Sequence, residues 1–278
     1  MGNERILVPL DDLGSIRAHG PDVRSFLQGQ LSNDVSRLTP ERSLLAGYHN
    51  PQGRTIALLR LLWLGENDVL AVLPRELAAP VAMRLARFVL RAKVKVADES
   101  SIWRARGVIG PQMPGAVPVG HSPTRGLIVS PSSDPTDGDR HQWHRLDIEA
   151  GQPQVFAATS EEFVAQMLNL DALDAIAFDK GCYTGQEVIA RAHYRGRVKR
   201  RLQRFVSRGP ATLAPGQGGT LYDGRAFKVV DAVQLEDGRC EFLAVAPLVH
   251  GTEPEASPAA ETPPLETESL PLPYPLPD

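Results

Sequence analysis

Eight consecutive residues, Lys180-Gly181-Cys182-Tyr183-Thr184-Gly185-Gln186-Glu187, gather the side-chain types in this chain best suited to chemistry. One of only two cysteines lies between two glycines, with a lysine two positions before it. The thiolate is the nucleophilic and metal-binding form of cysteine, and a nearby cation or a helix N-terminus favours it over the thiol. Thr184 and Glu187 match the S/T-x-x-E capping box, which predicts a helix beginning near Thr184 and running through Arg191. Cys182 would then stand just ahead of the positive end of that helix. Two readings stay open: a poised thiol, or a small apolar side chain used for packing. Glu187 reads as a helix cap before it reads as a catalytic acid.

The region around this motif is basic. Residues 180–208 contain nine Lys/Arg and a single acid, Glu187. Such a run suits an anion (a polyglutamate tail, a phosphate or RNA) or forms a solvated face without a ligand. Its aromatics are only Tyr183, Tyr194 and Phe205, too few for an evident base-stacking platform, so direct RNA binding is the weaker reading. The formal net charge of −3 conceals an uneven distribution: residues 251–278 hold six acids and no Lys or Arg.

The elements that must position these groups are mostly short. Residues 21–27 begin with proline and predict a helix ended near Gly29. His49-Asn50-Pro51-Gln52-Gly53 is a turn, flanked by hairpin strands over 44–48 and 55–64. Residues 68–73 predict a strand and 80–91 a helix with Val81, Leu85, Phe88 and Val89 on one face. Strands are predicted at 94–96, 102–109 and 127–130, an exposed loop at 131–139, a strand at 143–148 and a helix at 161–168. Beyond the motif, strands at 202–207, 220–222, 226–234 and 240–246, separated by Gly, Pro and Asp, predict a small all-β module. The segment 251–269 reads as disordered, and the apolar 270–276 as able to dock back on the body.

With 278 residues, 42% hydrophobic and 23% charged, the chain suits a soluble protein of more than one packed unit. No apolar run is long enough to span a bilayer, no secretory signal is visible at the start, and Cys182 and Cys240 form no C-x-x-C pattern. A reducing cytoplasm is the compartment expected.

The motif also carries a resemblance. The chain resembles the YgfZ folate-binding proteins, relatives of the glycine-cleavage T-protein (GcvT) and of mitochondrial iron–sulfur cluster assembly factors. The likeness spans His19-Gly20-Pro21-Asp22, the run from Phe26 through Asp34-Val35, Ile148-Glu149-Ala150-Gly151, Asn169-Leu170-Asp171, the octet with Ala190-Arg191, Tyr194-Arg195-Gly196 and the Leu-Pro-Tyr ending at Tyr274. It implies an α+β fold: a GcvT-like ring of α+β subdomains around a central channel over residues 1–200, a small β-barrel over 201–250, and a Pro-rich acidic tail over 251–278. It implies bound tetrahydrofolate or another reduced folate. The partners it implies are iron–sulfur proteins and their assembly machinery, with tRNA modification supported indirectly.

A pterin offers N–H donors that suit a carboxylate, a flat face that suits an aromatic ring, and an anionic glutamate end that suits Arg or Lys. Glu149 is the expected carboxylate and Trp143 the expected ring, at a position where the resembling proteins carry a tryptophan associated with folate. Asp34 and Arg191 complete the expected folate set, although Asp34 could equally cap a local turn. Leu13 stands where relatives carry a second tryptophan. Cys182, with Lys180 beside it, is the expected functional thiol. T-protein-like aminomethyltransferases place a catalytic aspartate on the strand after a turn like Pro51-Gln52-Gly53. The run Gly53-Arg54-Thr55-Ile56-Ala57-Leu58-Leu59 has no carboxylate, which disfavours aminomethyl transfer.

Overall fold

In a computed structural model the described residues are 4–120, 122, 124–132, 134–196, 198–249 and 263–277. The chain runs β1 (Ile6–Pro9), β2 (Leu13–His19), α1 (Val23–Gln30), β3 (Leu44–His49), β4 (Thr55–Gly65), β5 (Asp68–Pro74), α2 (Arg75–Ala86), β6 (Lys95–Asp98), β7 (Arg104–Ile109), β8 (Val117–Pro118) and β9 (Arg125–Ser130). There follow α3 (Arg140–Glu149), α4 (Gln186–Arg195), β10 (Arg200–Ser207), β11 (Gly218–Thr220), β12 (Ala226–Gln234), β13 (Cys240–Pro247) and β14 (Thr267–Leu270). No described helix is long and apolar enough to cross a membrane.

The described residues form three antiparallel sheets, ordered β3-β4-β5-β2-β6, β1-β7-β9-β8 and β11-β12-β13-β10-β14. The expected α+β class holds. Strand β4 is the spine of the first sheet. Its run Thr55-Ile56-Ala57-Leu58-Leu59 is buried on both faces, which is why its sequence is continuously apolar rather than alternating. Leu59 and Leu61 join the largest core on one side, and Leu62 contributes to the core shared with Trp143 on the other.

Several expected elements change. Helix α2 begins at Arg75, earlier than the 80–91 reading, with Pro80 inside it; Leu77, Ala78, Val81, Ala82 and Leu85 form its buried face, whereas Phe88 is exposed. Over 161–168 only a short 3-10 turn forms, at Ala165–Leu168. Glu161 has φ 63°, and Phe163 and Val164 are drawn into sheet-like pairing with Thr55 and Arg54, so the segment cannot coil. Residues 143–148, expected as a strand, lie in α3, capped by the Asp139 side chain accepting from the His141 N–H.

The C-terminal strands stand close to their expected positions, and Tyr274 in the apolar end of the tail donates to the Gly151 carbonyl at 2.7 Å. The disorder expected over 251–269 falls partly outside the described residues, but Thr267–Leu270 is a strand paired with β10. A single parallel bridge, Leu221 to Leu265, joins the segments beside the two edge strands of this sheet.

Candidate functional site

All three sheets contribute to one cavity of about 420 Å³. Leu58 and Arg60 of β4 reach it from the first sheet, Leu127 of β9 from the second and Asp231 of β12 from the third. Helix α3 supplies Arg140, Trp143, His144 and Asp147. Their spacing of i, i+3, i+4 and i+7 places them on one helical face.

Acids and bases in the wall are largely matched. Arg125 Nη2 donates to Asp147 Oδ1 at 2.5 Å, and the Arg125 guanidinium also lies 4.1 Å from the Trp143 ring centre. Arg140 approaches Asp12 at 3.7 Å, and His144 Nε2 lies 2.8 Å from Asp231 Oδ1. Burial alone would lower the His144 pKa, but the hydrogen bond and charge of Asp231 outweigh it and raise it. Burial raises Asp231.

Arg60 is the exception. Its guanidinium has no hydrogen bond or ion pair among the described residues, and burial lowers it to about 10, so it stays charged at neutral pH. Asp147 Oδ2 likewise has no partner among the described residues, its fellow oxygen being held by Arg125. The cavity thus presents an uncommitted cation and an uncommitted acceptor beside an indole ring.

Trp143 has this position because β7 carries Gly107 beneath it. A Cβ at residue 107 would fall 2.3 Å from Trp143 Cε3, so only glycine lets the ring lie against the sheet.

Among the other expected site residues, Glu149, Asp34, Cys182 and Arg191 do not line the cavity. Glu149 is six residues beyond Trp143 on a helix, which turns it to another face, and it pairs with Arg145 at 3.0 Å. A strand would have put residues 143 and 149 on the same side. Asp34 accepts from the Ser36 N–H and hydroxyl and from Gln28, the turn-capping arrangement, and the Ser36 hydroxyl is the leading cause of its lowered pKa.

The octet packs on the β3–β4 turn. Gly185 is the residue before α4, with φ 82°, and a Cβ there would lie 2.6 Å from the Asn50 carbonyl oxygen. The expected capping box is not formed: α4 starts at Gln186, Thr184 lies outside it, and no side chain caps the helix. Glu187 is an exposed acid in the first turn, where the helix dipole favours it. Cys182 is exposed and Cys240 buried. Lys180 Nζ donates to the carbonyls of Gln28, Leu31 and Asn33 at 2.7–2.8 Å and lies 5.2 Å from the buried Tyr183 ring centre. The structure therefore joins Lys180 with the Asp34 turn, and Trp143 with the cavity, as two separate groupings.

Sequence reasoning missed Arg60, Asp147, His144 and Asp231. The i, i+3, i+4, i+7 pattern from Arg140 to Asp147 was the signal for the α3 residues; nothing local marks Arg60 or Asp231.

The fold is that of the glycine-cleavage aminomethyltransferases. The chain superposes on aminomethyltransferase T of the glycine cleavage system from Bartonella henselae with a TM-score of 0.65 at 14% identity, over 87% of this chain and 78% of that one. It matches no family model. Its sequence is 32% identical over 276 residues to the tRNA-modifying protein YgfZ of Pectobacterium carotovorum, covering 86% of this chain and 83% of that protein. The YgfZ of Klebsiella pneumoniae is 32% identical over 311 residues, covering 98% and 94%, and that of Edwardsiella ictaluri is 33% identical over 279, covering 86% and 83%. The chain belongs to the YgfZ family.

Proposed function

We propose that this chain binds a reduced folate, tetrahydrofolate or a close derivative, in the cavity beside α3. We further infer that it acts as an accessory factor in building or repairing iron–sulfur proteins, and through them in tRNA modification. The observation that carries the folate reading is the pairing, in one cavity, of the Trp143 indole with the unengaged Oδ2 of Asp147. A pterin's amino and ring N–H donors require such an acceptor, and the buried indole, packed against Gly107 and Arg125, supplies an apolar aromatic wall. The carboxylate role expected of Glu149 passes to Asp147, one helical turn beyond Trp143.

The tRNA part of the reading draws on the name of the relatives, and the iron–sulfur part on the resemblance carried by the octet. Cys182, exposed on the segment leading into α4, is the thiol offered to a client protein. The C-terminal sheet, with its edges joined by the Leu221–Leu265 bridge, is taken as the small barrel of this arrangement. Aminomethyl transfer is not proposed, because β4 carries no carboxylate and its charged residue at the cavity is Arg60.

Calorimetric titration with tetrahydrofolate tests the ligand. Losing a charge-assisted hydrogen bond worth about 1.5–3 kcal/mol weakens binding roughly tenfold to a hundredfold. That is the result expected for Asp147→Asn, with Glu149→Gln unchanged. No binding by the unaltered chain, or unaltered binding by Asp147→Asn, ends the reading. For the client role, Cys182→Ser is expected to fold and bind folate normally yet fail to restore the activity of an iron–sulfur tRNA-modifying enzyme in cells lacking the protein; full restoration would make the thiol inert.

Direct RNA contact is the second reading. It is favoured by α4, where exposed Tyr194 stands beside exposed Arg191 and Arg195. Binding of tRNA that weakens steeply with salt and ignores folate would support it.

A further inference from the structure

In the cavity wall Asp147 is paired with Arg125, which lies outside the lining, Arg140 with Asp12 and His144 with Asp231, and one cation more remains. A cation at a largely apolar wall is poorly solvated until a partner or ligand supplies an acceptor. Arg60 is half-buried, faces the cavity, and is left by the described residues with no hydrogen bond and no ion pair. Around it the lining is largely hydrocarbon, including Leu45, Leu58 and Val72. Its position on β4, the spine of the first sheet, fixes where the guanidinium can reach. Asp147, whose charge is the favourable influence felt by Arg60, spends one oxygen on Arg125. The wall therefore offers a planar donor and an acceptor at the same time.

Resting on the folate reading above, we propose that Arg60 and Asp147 together read the 2-amino-4-oxopyrimidine edge of the ligand, Arg60 donating to the 4-oxo oxygen and Asp147 accepting from the 2-amino and N3 hydrogens. Arg60 is then the residue that determines specificity at position 4. A guanidinium cannot accept a hydrogen bond. A 4-amino group in place of the oxygen faces it donor to donor, and the same change strips N3 of its hydrogen, so Asp147 loses a donor as well. Guanine presents the same edge, so it is the other source of this chemistry.

The test is a binding matrix of the full chain with tetrahydrofolate, its 4-amino counterpart and guanosine. The unaltered chain is expected to prefer tetrahydrofolate over the 4-amino compound by about tenfold or more, the equivalent of about 1.4 kcal/mol. In Arg60→Met this preference is expected to shrink by about threefold or more, chiefly through weaker tetrahydrofolate binding, with the share that Asp147 draws from the N3 hydrogen remaining. Equal affinity of the unaltered chain for the 4-oxo and 4-amino pteridines overturns the proposal, even if Arg60→Met does not fold. An undiminished preference in a folded Arg60→Met also overturns it. Failure to bind either pteridine, with guanosine bound, removes the folate reading but supports the edge recognition; failure to bind all three removes both.

Discussion

Lys180 Nζ lies 2.7 Å from the carbonyl oxygen of Leu31, at the end of α1, although Lys180 and Leu31 are 149 residues apart in the chain. Two further carbonyls, of Gln28 and Asn33, complete the ammonium's three donors. Burial lowers its pKa to about 8, so it remains mainly protonated at neutral pH. The lysine of the octet thus ties the motif to the α1 terminus. Replacing it with Met strands three carbonyls, and hydrogen bonds to a charged group contribute about 1.5–3 kcal/mol each before relaxation. Lys180→Met is expected to lower the urea midpoint substantially while leaving the rate of Cys182 alkylation in the folded protein little altered. A large change in that rate with stability preserved would assign Lys180 to the thiol instead.

The motif's glycines and threonine separate backbone demand from capping. Thr184 is half-buried and does not cap α4, so Thr184→Ala is expected to change stability by less than about 1 kcal/mol. Gly185→Ala introduces a left-handed alanine, at about 1–2 kcal/mol, and drives its Cβ into the Asn50 carbonyl. It is expected to be the much more destabilising of the two. Denaturant melts of both variants check the order, and the reverse order would restore the capping box.

The fold class was readable because its signals are local. The turn at Asn50-Pro51-Gln52-Gly53 and the Pro-Gly-Asp spacing of β10–β13 place strands almost where they form. The 143–148 segment was misread because six residues with apolar Trp143, Leu146 and Ile148 fit either period. Asp139, as a helix cap, held the missing information. Read as a strand, the segment puts Glu149 on the side of Trp143; as a helix it puts Asp147 there. Strand β14 escaped because Thr267-Glu268-Ser269-Leu270 is an edge strand stabilised by its distant pairing with β10, with no apolar alternation of its own. The cavity's acid–base pairs were out of reach for the same reason: Asp12 with Arg140 and His144 with Asp231 meet only in the folded chain.

His49 gives the fold a predictable acid sensitivity. It is fully buried beside Tyr183, neither ring nitrogen has a hydrogen-bond partner among the described residues, and burial lowers its pKa to about 3. The unfolded chain protonates it near 6.5, so between about 6.5 and 3 the unfolded state binds the extra proton. Stability must therefore fall as pH drops through that window, by up to about 1.4 kcal/mol per pH unit from this group. His49→Phe keeps a ring and sacrifices no hydrogen bond. It is expected to be close to neutral at pH 7 and to flatten this part of the stability profile. Urea unfolding of both proteins across the range measures it, and an unchanged slope would exonerate His49.

Gly107 offers a way to disturb the cavity without touching any group that bonds the ligand. In Gly107→Ala the new methyl would overlap Trp143, approaching Cε3 to 2.3 Å and Cζ3 to 2.5 Å, so the indole must lift from β7. Forcing an extra methyl into a packed region typically costs about 1–3 kcal/mol, which this chain should survive with its fold intact. The displaced ring would alter both its contact with the Arg125 guanidinium and the wall that Trp143 gives the cavity. Tetrahydrofolate affinity is therefore expected to fall about tenfold or more, with a change in tryptophan emission, while alkylation of Cys182 proceeds as before. Wild-type affinity in a folded Gly107→Ala would mean that the ligand does not use the Trp143 face, and the cavity reading would then rest on Asp147 alone.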